Sequence, residues 1–532
     1  MRSQSCLLLL TFCLAVDAGA QSTNSSGVRR TLSLRECIAL SLENNLDLKI
    51  DRLNPKIADY RLRASYGAYD PVVSVFTRHS YLDQPARVNP DNLRRQPIWD
   101  LDPITMQPVQ VGTVTFLDTQ NPYEQVANGV GGGVIGRLPT GTQYELGVRT
   151  DYQDVTAFPV PGEANLAFGQ TNYNYATASF TVRQPLLRNL WTDADRLNIQ
   201  LAKKDLQISE LALRARMMTN VTDVMMAYYD LISAREVVRV NQKALELTRQ
   251  LFTETRRRME VGDRAQLDVK LTESQLETVQ ANITAAEQIY HEKQNVLKEL
   301  LAKDTQHWNN FDIDPAETLV ASTESFDRQQ CWKNALLYRP DLEELRLELE
   351  KRKILVRYAN NQLYPNLDLI GGVGVQAYGT GAGDAWRGVR DADHTFYNVG
   401  IMLSMPLSRT AERNQYKASL AAQEQSELRI EKKQLRVVTS IDTAVRGVES
   451  ALQRVESNRK ARSYADDALV AETKKLQNGV TTSFVVLEYQ RNLTAARTAE
   501  IQAMADYYKT RALLHLEDGT TLSLNQIEVK VR

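Results

Sequence analysis

Apolar side chains recur at every seventh position along two long stretches that proline never interrupts. In residues 192–259, which contain neither Gly nor Pro, Val224, Leu231, Val238, Leu245, Phe252 and Met259 fall on one line. In residues 407–478, broken only by Gly447, Ile441, Val448, Val455, Leu469 and Leu476 do the same, with Arg462 the single exception. A seven-residue repeat held for so long predicts coiled-coil packing, not the broader stripe of a globular helix. At 1.5 Å per residue, a helix of about 67 residues is roughly 100 Å long. Gly262 and Gly479 then mark turns, and helical patterns run back over 264–302 and 483–516. Each stretch therefore predicts an antiparallel helical hairpin.

Elsewhere the period drops to two. In 175–183 Ala176, Ala178, Phe180 and Val182 alternate with polar residues, and in 396–405 Tyr397, Val399, Ile401, Leu403 and Met405 share one face. Val73 and Val75 follow Pro71, and Leu367, Leu369, Val373 and Val375 follow Pro365. These are strands with one apolar face, less clean after the two prolines, expected near 72–80, 173–183, 366–378 and 396–405; the pattern alone suits a half-buried soluble sheet equally well.

The two series belong to an internal repeat. Cys37, Asp47 and Pro71 match Cys331, Asp341 and Pro365 at a constant offset of 294. Farther on, Gln184-Pro185-Leu186 matches Met405-Pro406-Leu407, and Val261-Gly262 matches Asn478-Gly479. The expected organisation is a first repeat over 31–302, a linker over 303–326, a second repeat over 327–518 and a tail over 519–532. Each half reads helix, strand, strand, long helix, helix, so the fold class is mixed α and β with a duplicated half.

The halves differ most between their strands, where the first holds 92 residues (81–172) and the second 17 (379–395). Inside the longer segment Tyr144, Leu146 and Val148 alternate with Gln143, Glu145, Gly147 and Arg149, after Val130, Gly132, Val134 and a Leu138-Pro139-Thr140-Gly141 turn. This reads as a β-hairpin with one apolar face. It has two possible placements: in the wall, for six strands per chain, or folded over the outer mouth as a cap. Gly131, Gly132, Gly133 and Gly136 weaken its first strand, which favours the cap.

The N-terminus reads as an export leader over 1–20. Arg2 precedes an eleven-residue run (6–16), apolar but for Thr11, and Ala18-Gly19-Ala20 is a small-residue cleavage site. Eleven residues are too few to span a bilayer, and no later segment offers 18 uninterrupted apolar ones. With 64 Lys+Arg against 65 Asp+Glu, the chain has no electrostatic reason to bind nucleic acid. An exported chain with one-faced strands, too few per half for a soluble sandwich, points to a lipid-facing sheet. Such a sheet has to close so that no backbone edge meets lipid. Four strands do not close alone, so several chains share one barrel.

Enzyme signals are absent or weak. Gly131–Gly136 satisfies GxGxxG, but Pro139-Thr140-Gly141 follows where a helix should begin, and no phosphate-binding GxxxxGK[ST] loop exists. His79, His291, His307, His394 and His515 lack metal-ligand spacing. No cofactor, metal or catalytic residue is expected. Cys37 and Cys331, the cysteines left after leader removal, could form a disulfide, but their equivalent places in the repeat favour two separate small buried residues.

The mature chain resembles the TolC-like outer-membrane efflux proteins of Gram-negative bacteria. The resemblance is carried by Leu34…Cys37-Ile38-Ala39-Leu40…Asn44-Asn45-Leu46, Tyr69-Asp70-Pro71, Tyr364-Pro365 and Gln184-Pro185-Leu186. Its hairpin turns are Met259-Glu260-Val261-Gly262…Leu267-Asp268-Val269 and Leu476-Gln477-Asn478-Gly479…Val485-Val486-Leu487-Glu488. The resemblance implies a homotrimer whose 12-stranded barrel, set in outer-membrane lipid, continues as a long α-helical coiled-coil tunnel across the periplasm. It implies two partners, a periplasmic adaptor and an inner-membrane pump of RND or ABC type. It also places adaptor docking at the turns, Val261, Gly262, Asp263, Asn478, Gly479 and Val480. The periplasmic constriction maps to Asp268, Glu488 and Arg264, with two departures: Val485 replaces a second-half acid, and Thr481 an arginine. Outside the resemblance, Asp268 and Glu488 read equally well as solvated surface charges. An exported coiled-coil adhesin is the alternative, but it leaves the strand pairs and the duplication unexplained.

Overall fold

A computed structural model describes residues 28–527, except 86, 103–107, 121–122, 158–168, 263–264, 304–310, 321–323 and 325. The leader, Asp263 and Arg264 therefore lie outside the described residues. In chain order the elements begin β1 (Val28–Leu32), α1 (Leu34–Asn44), α2 (Leu46–Asp51), α3 (Leu53–Tyr66), β2 (Val72–Gln84), β3 (Arg87–Leu101) and β4 (Pro108–Gln120). There follow β5 (Tyr123–Arg137), β6 (Gln143–Ala157), β7 (Gly169–Pro185), α4 (Ala194–Glu260), α5 (Gln266–Leu301) and β8 (Phe311–Pro315). The second half holds α6 (Arg328–Tyr338), α7 (Pro340–Asn361), β9 (Asn366–Gly379), α8 (Ala382–Asp391), β10 (His394–Ser404), α9 (Thr410–Gln477), α10 (Ser483–Glu517) and α11 (Thr521–Leu524). No helix among the described residues is long and apolar enough to cross a membrane.

The chain divides into two compact units. One comprises the described residues of 1–52, 213–339 and 435–532; the other comprises those of 53–212 and 340–434.

The first unit is helical. Its core gathers Ile38 and Leu48, Met218, Val221, Val224, Tyr228, Leu231 and Ile232 of α4, Leu297 and Leu301 of α5, and Ile313. Ser33 caps α1, its side chain accepting from Glu36 N while the Glu36 carboxylate accepts from Ser33 N at 2.8 Å. β1 and β8 pair in parallel, a ribbon the sequence pattern did not announce. It is pinned from below: Tyr228 donates to Leu32 O at 3.0 Å, Gln294 to Ile313 O at 3.1 Å, and Lys298 bonds Asp312 at 2.9 Å. Cys37 and Cys331 are both buried and unpaired. Burial, then the charges of Glu36 and Glu317, pushes the Cys37 thiol up to about 12.

The long helices hold their heptads unequally. On α9, Ile441, Val448, Val455, Leu469 and Leu476 are all buried, and Arg462, the exception, reaches Glu500 on α10 at 2.6 Å. On α4 the line is buried at Val224 and Leu231, while Val238, Leu245, Phe252 and Met259 are half-buried. Burial there includes a second line, three residues on, of Ala227, Ala234, Thr248 and Thr255, with Leu251 beside it.

The second unit holds one antiparallel six-stranded sheet, in the order β10-β9-β7-β6-β5-β2. The insert hairpin, β5 and β6, pairs unbroken from Tyr123↔Ala157 to Arg137↔Gln143, and β6 pairs with β7 from Gln143↔Arg183 to Ala157↔Gly169. The preference for a cap is thereby corrected: the hairpin lies within the sheet, between β2 and β7. The glycine argument failed because the neighbours fill the gaps. A Cβ at Gly131 would fall 2.6 Å from the Phe76 ring of β2, and the Tyr144 ring occupies the space beside Gly136. Cross-strand aromatics thus supply the buried area that glycine lacks.

The helical stretch after Asn45 breaks at Arg52, between α2 and α3, where Pro55 in the first turn of α3 has no N–H to donate to the preceding turn. β3 and β4 pair antiparallel as a separate two-stranded sheet, its first pair Arg87↔Gln120 matching the register in which β2–β5 ends at Gln84↔Tyr123. In the shorter loop of the second half α8 packs on β9 and β7, covering Ala176 and Ala377.

Candidate functional site

Register sorts the sheet into two chemically different faces. Val73, Val134, Leu146, Phe180, Val373 and Tyr397 stand side by side across all six strands. The adjoining row on the same face is Val75, Gly132, Val148, Ala178, Val375 and Thr395. Val75 is 81% exposed and Tyr397 82%, with Val73, Val399, Ile401 and Leu403 also well exposed. A contiguous apolar face exposed across six strands marks a surface that meets something other than water.

The opposite face is small and polar. Its rows run Ser74, Gly133, Gly147, Ser179, Gly374, Phe396 and Phe76, Gly131, Arg149, Thr177, Gln376, His394. Two of its arginines are paired in place, Arg183 donating to Asp368 at 3.0 Å and Arg149 to Asp151 at 2.8 Å, while Tyr175 donates to Gln376 at 2.8 Å. Below the sheet, Arg188 donates to Gln362 at 2.6 Å and Asn189 N to Asn361 at 2.8 Å, so the segment that follows β7 is bonded to the C-terminal end of α7. A cavity of about 320 Å³ beside this junction is lined by Arg137, Arg183, Asp195 and Asp368, which pair with one another and serve the junction.

The hairpin turns lie in the helical unit and are built alike. Gly262 has φ +86° and Gly479 φ +73°, the left-handed region that a side chain resists. At the second turn Val480 N donates to Lys475 O at 2.9 Å and Gly479 N to Leu476 O at 3.1 Å, a Schellman cap. At the first, Gly262 N donates to Met259 O at 2.9 Å. A Cβ on either glycine would meet nothing within 4 Å, so the tips are open. Val261 is 80% exposed and Val480 75%, leaving an apolar side chain at each tip.

Of the constriction residues, Asp268 is half-buried in the first turn of α5 and Glu488 is exposed on α10. Neither carboxylate has a hydrogen bond or ion pair among the described residues. Arg264 and Asp263 lie outside those residues. Arg258, which the sequence reading passed over, does link the hairpins: it donates to Leu476 O at 3.5 Å and to Glu254 at 2.6 Å. Beneath it Leu251 of α4 packs against Leu469, Leu476, Val486, Leu487 and Leu493. The signal was a basic residue one position before the heptad residue Met259, in a run of three arginines that looked merely solvated.

Known proteins bear on this geometry. The structure of the outer-membrane channel CmeC of Campylobacter jejuni aligns over 97% of this chain and 94% of its own, at 13% identity and a TM-score of 0.62. The outer membrane protein VceC of Vibrio cholerae aligns over 91% of this chain and 96% of its own, at 14% identity and a TM-score of 0.60. At such identities the likeness is one of fold. In sequence, the pyoverdine export outer membrane protein OpmQ of Pseudomonas aeruginosa is 23% identical over 57% of this chain and 61% of its own length. Nodulation protein T of Rhizobium leguminosarum bv. trifolii is 19% identical over 61% of this chain and 68% of its own. The family model described as outer membrane efflux protein matches residues 164–303 and 332–519, together 328 of the 532 residues. The chain belongs to the outer membrane efflux protein family and is an outer-membrane efflux channel.

Proposed function

We propose that this chain is the passive exit duct of a tripartite efflux or type I secretion system, working as a homotrimer. In this reading three copies join their sheets into one closed wall through the outer membrane, and the helical hairpins form a tunnel in the periplasm. The carrying observation is the exposed apolar face that runs across all six strands. Along β9 the uncovered part of that face extends from Leu367 to Val375, beyond which α8 lies over Ala377. Eight residue steps at about 3.4 Å, tilted by about 40°, rise about 21 Å, most of the roughly 25 Å band of membrane barrels. Lipid is the surface that fits such a face, and the polar rows then line a watery passage.

Transport energy comes from the partner pump, of RND or ABC type. A periplasmic adaptor docks on Val261, Gly262, Asp263, Asn478, Gly479 and Val480, where open glycines let another helical tip approach and the two valines offer it apolar contact. Asp268, Glu488 and Arg264 narrow the periplasmic mouth. Three copies of each carboxylate there attract cations and repel anions. Replacing both acids by Ala raises single-channel conductance and weakens block by divalent cations; unchanged values return them to ordinary surface charges.

The docking site has its own test. In Gly262→Val combined with Gly479→Leu, a side chain enters the left-handed region at both turns, at about 1–2 kcal/mol each. Export stops while the oligomer still assembles. Normal export by that double variant refutes docking at the turns.

A further inference from the structure

Six strands per chain change the size of the opening. We propose that β2 and β10 are the surfaces on which neighbouring copies pair, and that three copies close an 18-stranded wall instead of the 12-stranded barrel expected from the resemblance. This rests on the duct reading above and adds to it the width of the exit.

The inserted strands carry the argument. Were β5 and β6 a cap outside the membrane, nothing would require their alternation to match the strands on either side. Yet Val134 and Leu146 fall in the apolar row between Val73 and Phe180, while Glu145 and Arg149 fall in the polar rows with Thr181 and Thr177. β6 is hydrogen-bonded on both sides along its whole length, to β5 and β7. Taking the hairpin out would break both ladders and leave Phe76 without the Gly131 surface under its ring.

The sheet ends at β2 on one side and β10 on the other. Both edges are exposed along nearly their whole length, and unpaired backbone groups at an edge are costly in lipid. Six strands in one chain are fewer than the eight of the smallest membrane barrels, so an edge finds its partner on another copy. The strands alternate in direction across the sheet, so β2 and β10 run oppositely and join as an antiparallel pair. With strands about 4.8 Å apart and tilted by about 40°, 18 strands give a wall about 36 Å across between backbones, against about 24 Å for 12. The cross-section rises about 2.25-fold, scaling as the square of strand number. The widening is confined to the sheet, so solutes larger than those a 12-stranded exit admits would leave freely once past the tunnel.

Lipid contact at chosen residues tests this. Single cysteines at Leu146→Cys, Ile401→Cys and Glu145→Cys take a polarity-sensitive fluorophore, with the buried Cys37 and Cys331 silent. The protein is then reconstituted in phosphatidylcholine vesicles containing nitroxide-labelled lipid, and its copy number is read by native mass measurement. The proposal predicts quenching at Leu146 as deep as at Ile401, none by lipid at Glu145, and three copies. Quenching at Ile401 without quenching at Leu146 overturns the 18-stranded wall while the duct reading stands. No quenching at either removes the sheet from lipid and the duct reading with it. Quenching at both in a two-copy particle also overturns the proposal, since that wall has 12 strands.

Discussion

On α9 the residues at 441, 448, 455, 469 and 476 are each at most 8% exposed, whereas on α4 the corresponding line is buried only at its start. Beyond Leu231 the large residues of α4, Leu245, Phe252 and Met259, stand half-buried, and the inner contact passes to Thr248, Leu251 and Thr255. Both helices carry the same heptad, so the repeat alone does not say which neighbour it serves. The second hairpin consumes its apolar line within the chain, against α10. Part of the first hairpin's line remains for another surface, which in the proposed trimer is the adjoining copy. Small residues make this possible: Ala227, Ala234, Thr248 and Thr255 let the helices inside the chain approach closely without using the larger side chains.

The contrast breaks most visibly on truncation. Ile441→Ala removes a fully buried side chain and lowers subunit stability by about 2–5 kcal/mol in urea unfolding. Phe252→Ala leaves the subunit's unfolding midpoint nearly in place but weakens the oligomer, seen as loss of the high-mass band on an unheated gel. Equal destabilisation of the subunit by both variants would show that the two lines do the same work.

The exception at 462 sharpens the comparison. Arg462→Ala leaves Glu500 only 15% exposed and without its cation, so it destabilises by about 1 kcal/mol, and Arg462→Leu together with Glu500→Leu recovers at least that much. A double variant as weak as the single one would mean that Arg462 matters for something besides pairing.

A smaller effect belongs to the tie between the hairpins, where Asp230 of α4 bonds Lys509 of α10 at 2.9 Å and Lys293 of α5 at 3.1 Å. Burial works against the Lys509 charge, but its bonds to Asp230 and Asp506 outweigh that and hold its pKa above the ordinary 10.5. Its contribution is therefore complete below pH 10.5 and is lost as the pH rises through the raised value. The thermal midpoint of the protein should fall over that alkaline range, and Lys509→Gln should flatten the fall. An unchanged slope in the variant would assign the alkaline loss to other groups.

Much of this was legible in the sequence because the elements are long and strongly periodic. The turns at Gly262 and Gly479 and the strands around Phe180 and Ile401 follow directly from pattern. What escaped depends on contacts between distant residues. Gly131 and Gly136 look weak until Phe76 and Tyr144 lie over them. Thr248 and Thr255 look solvated until a neighbouring helix covers them, and the parallel pairing of β1 with β8 joins five-residue strands too short to show a period. The candidate sites were less legible, since the role proposed for Asp268 and Glu488 depends on other copies of the chain, and Arg258 is one arginine among three.

The account rests on three copies joined through the outer membrane. Envelopes from cells producing the full chain, separated by density and run unheated in detergent gels, test it most directly. It predicts a species of three times the subunit mass in the outer-membrane fraction, resistant to detergent until boiled. A monomer recovered with the soluble periplasmic proteins would contradict it.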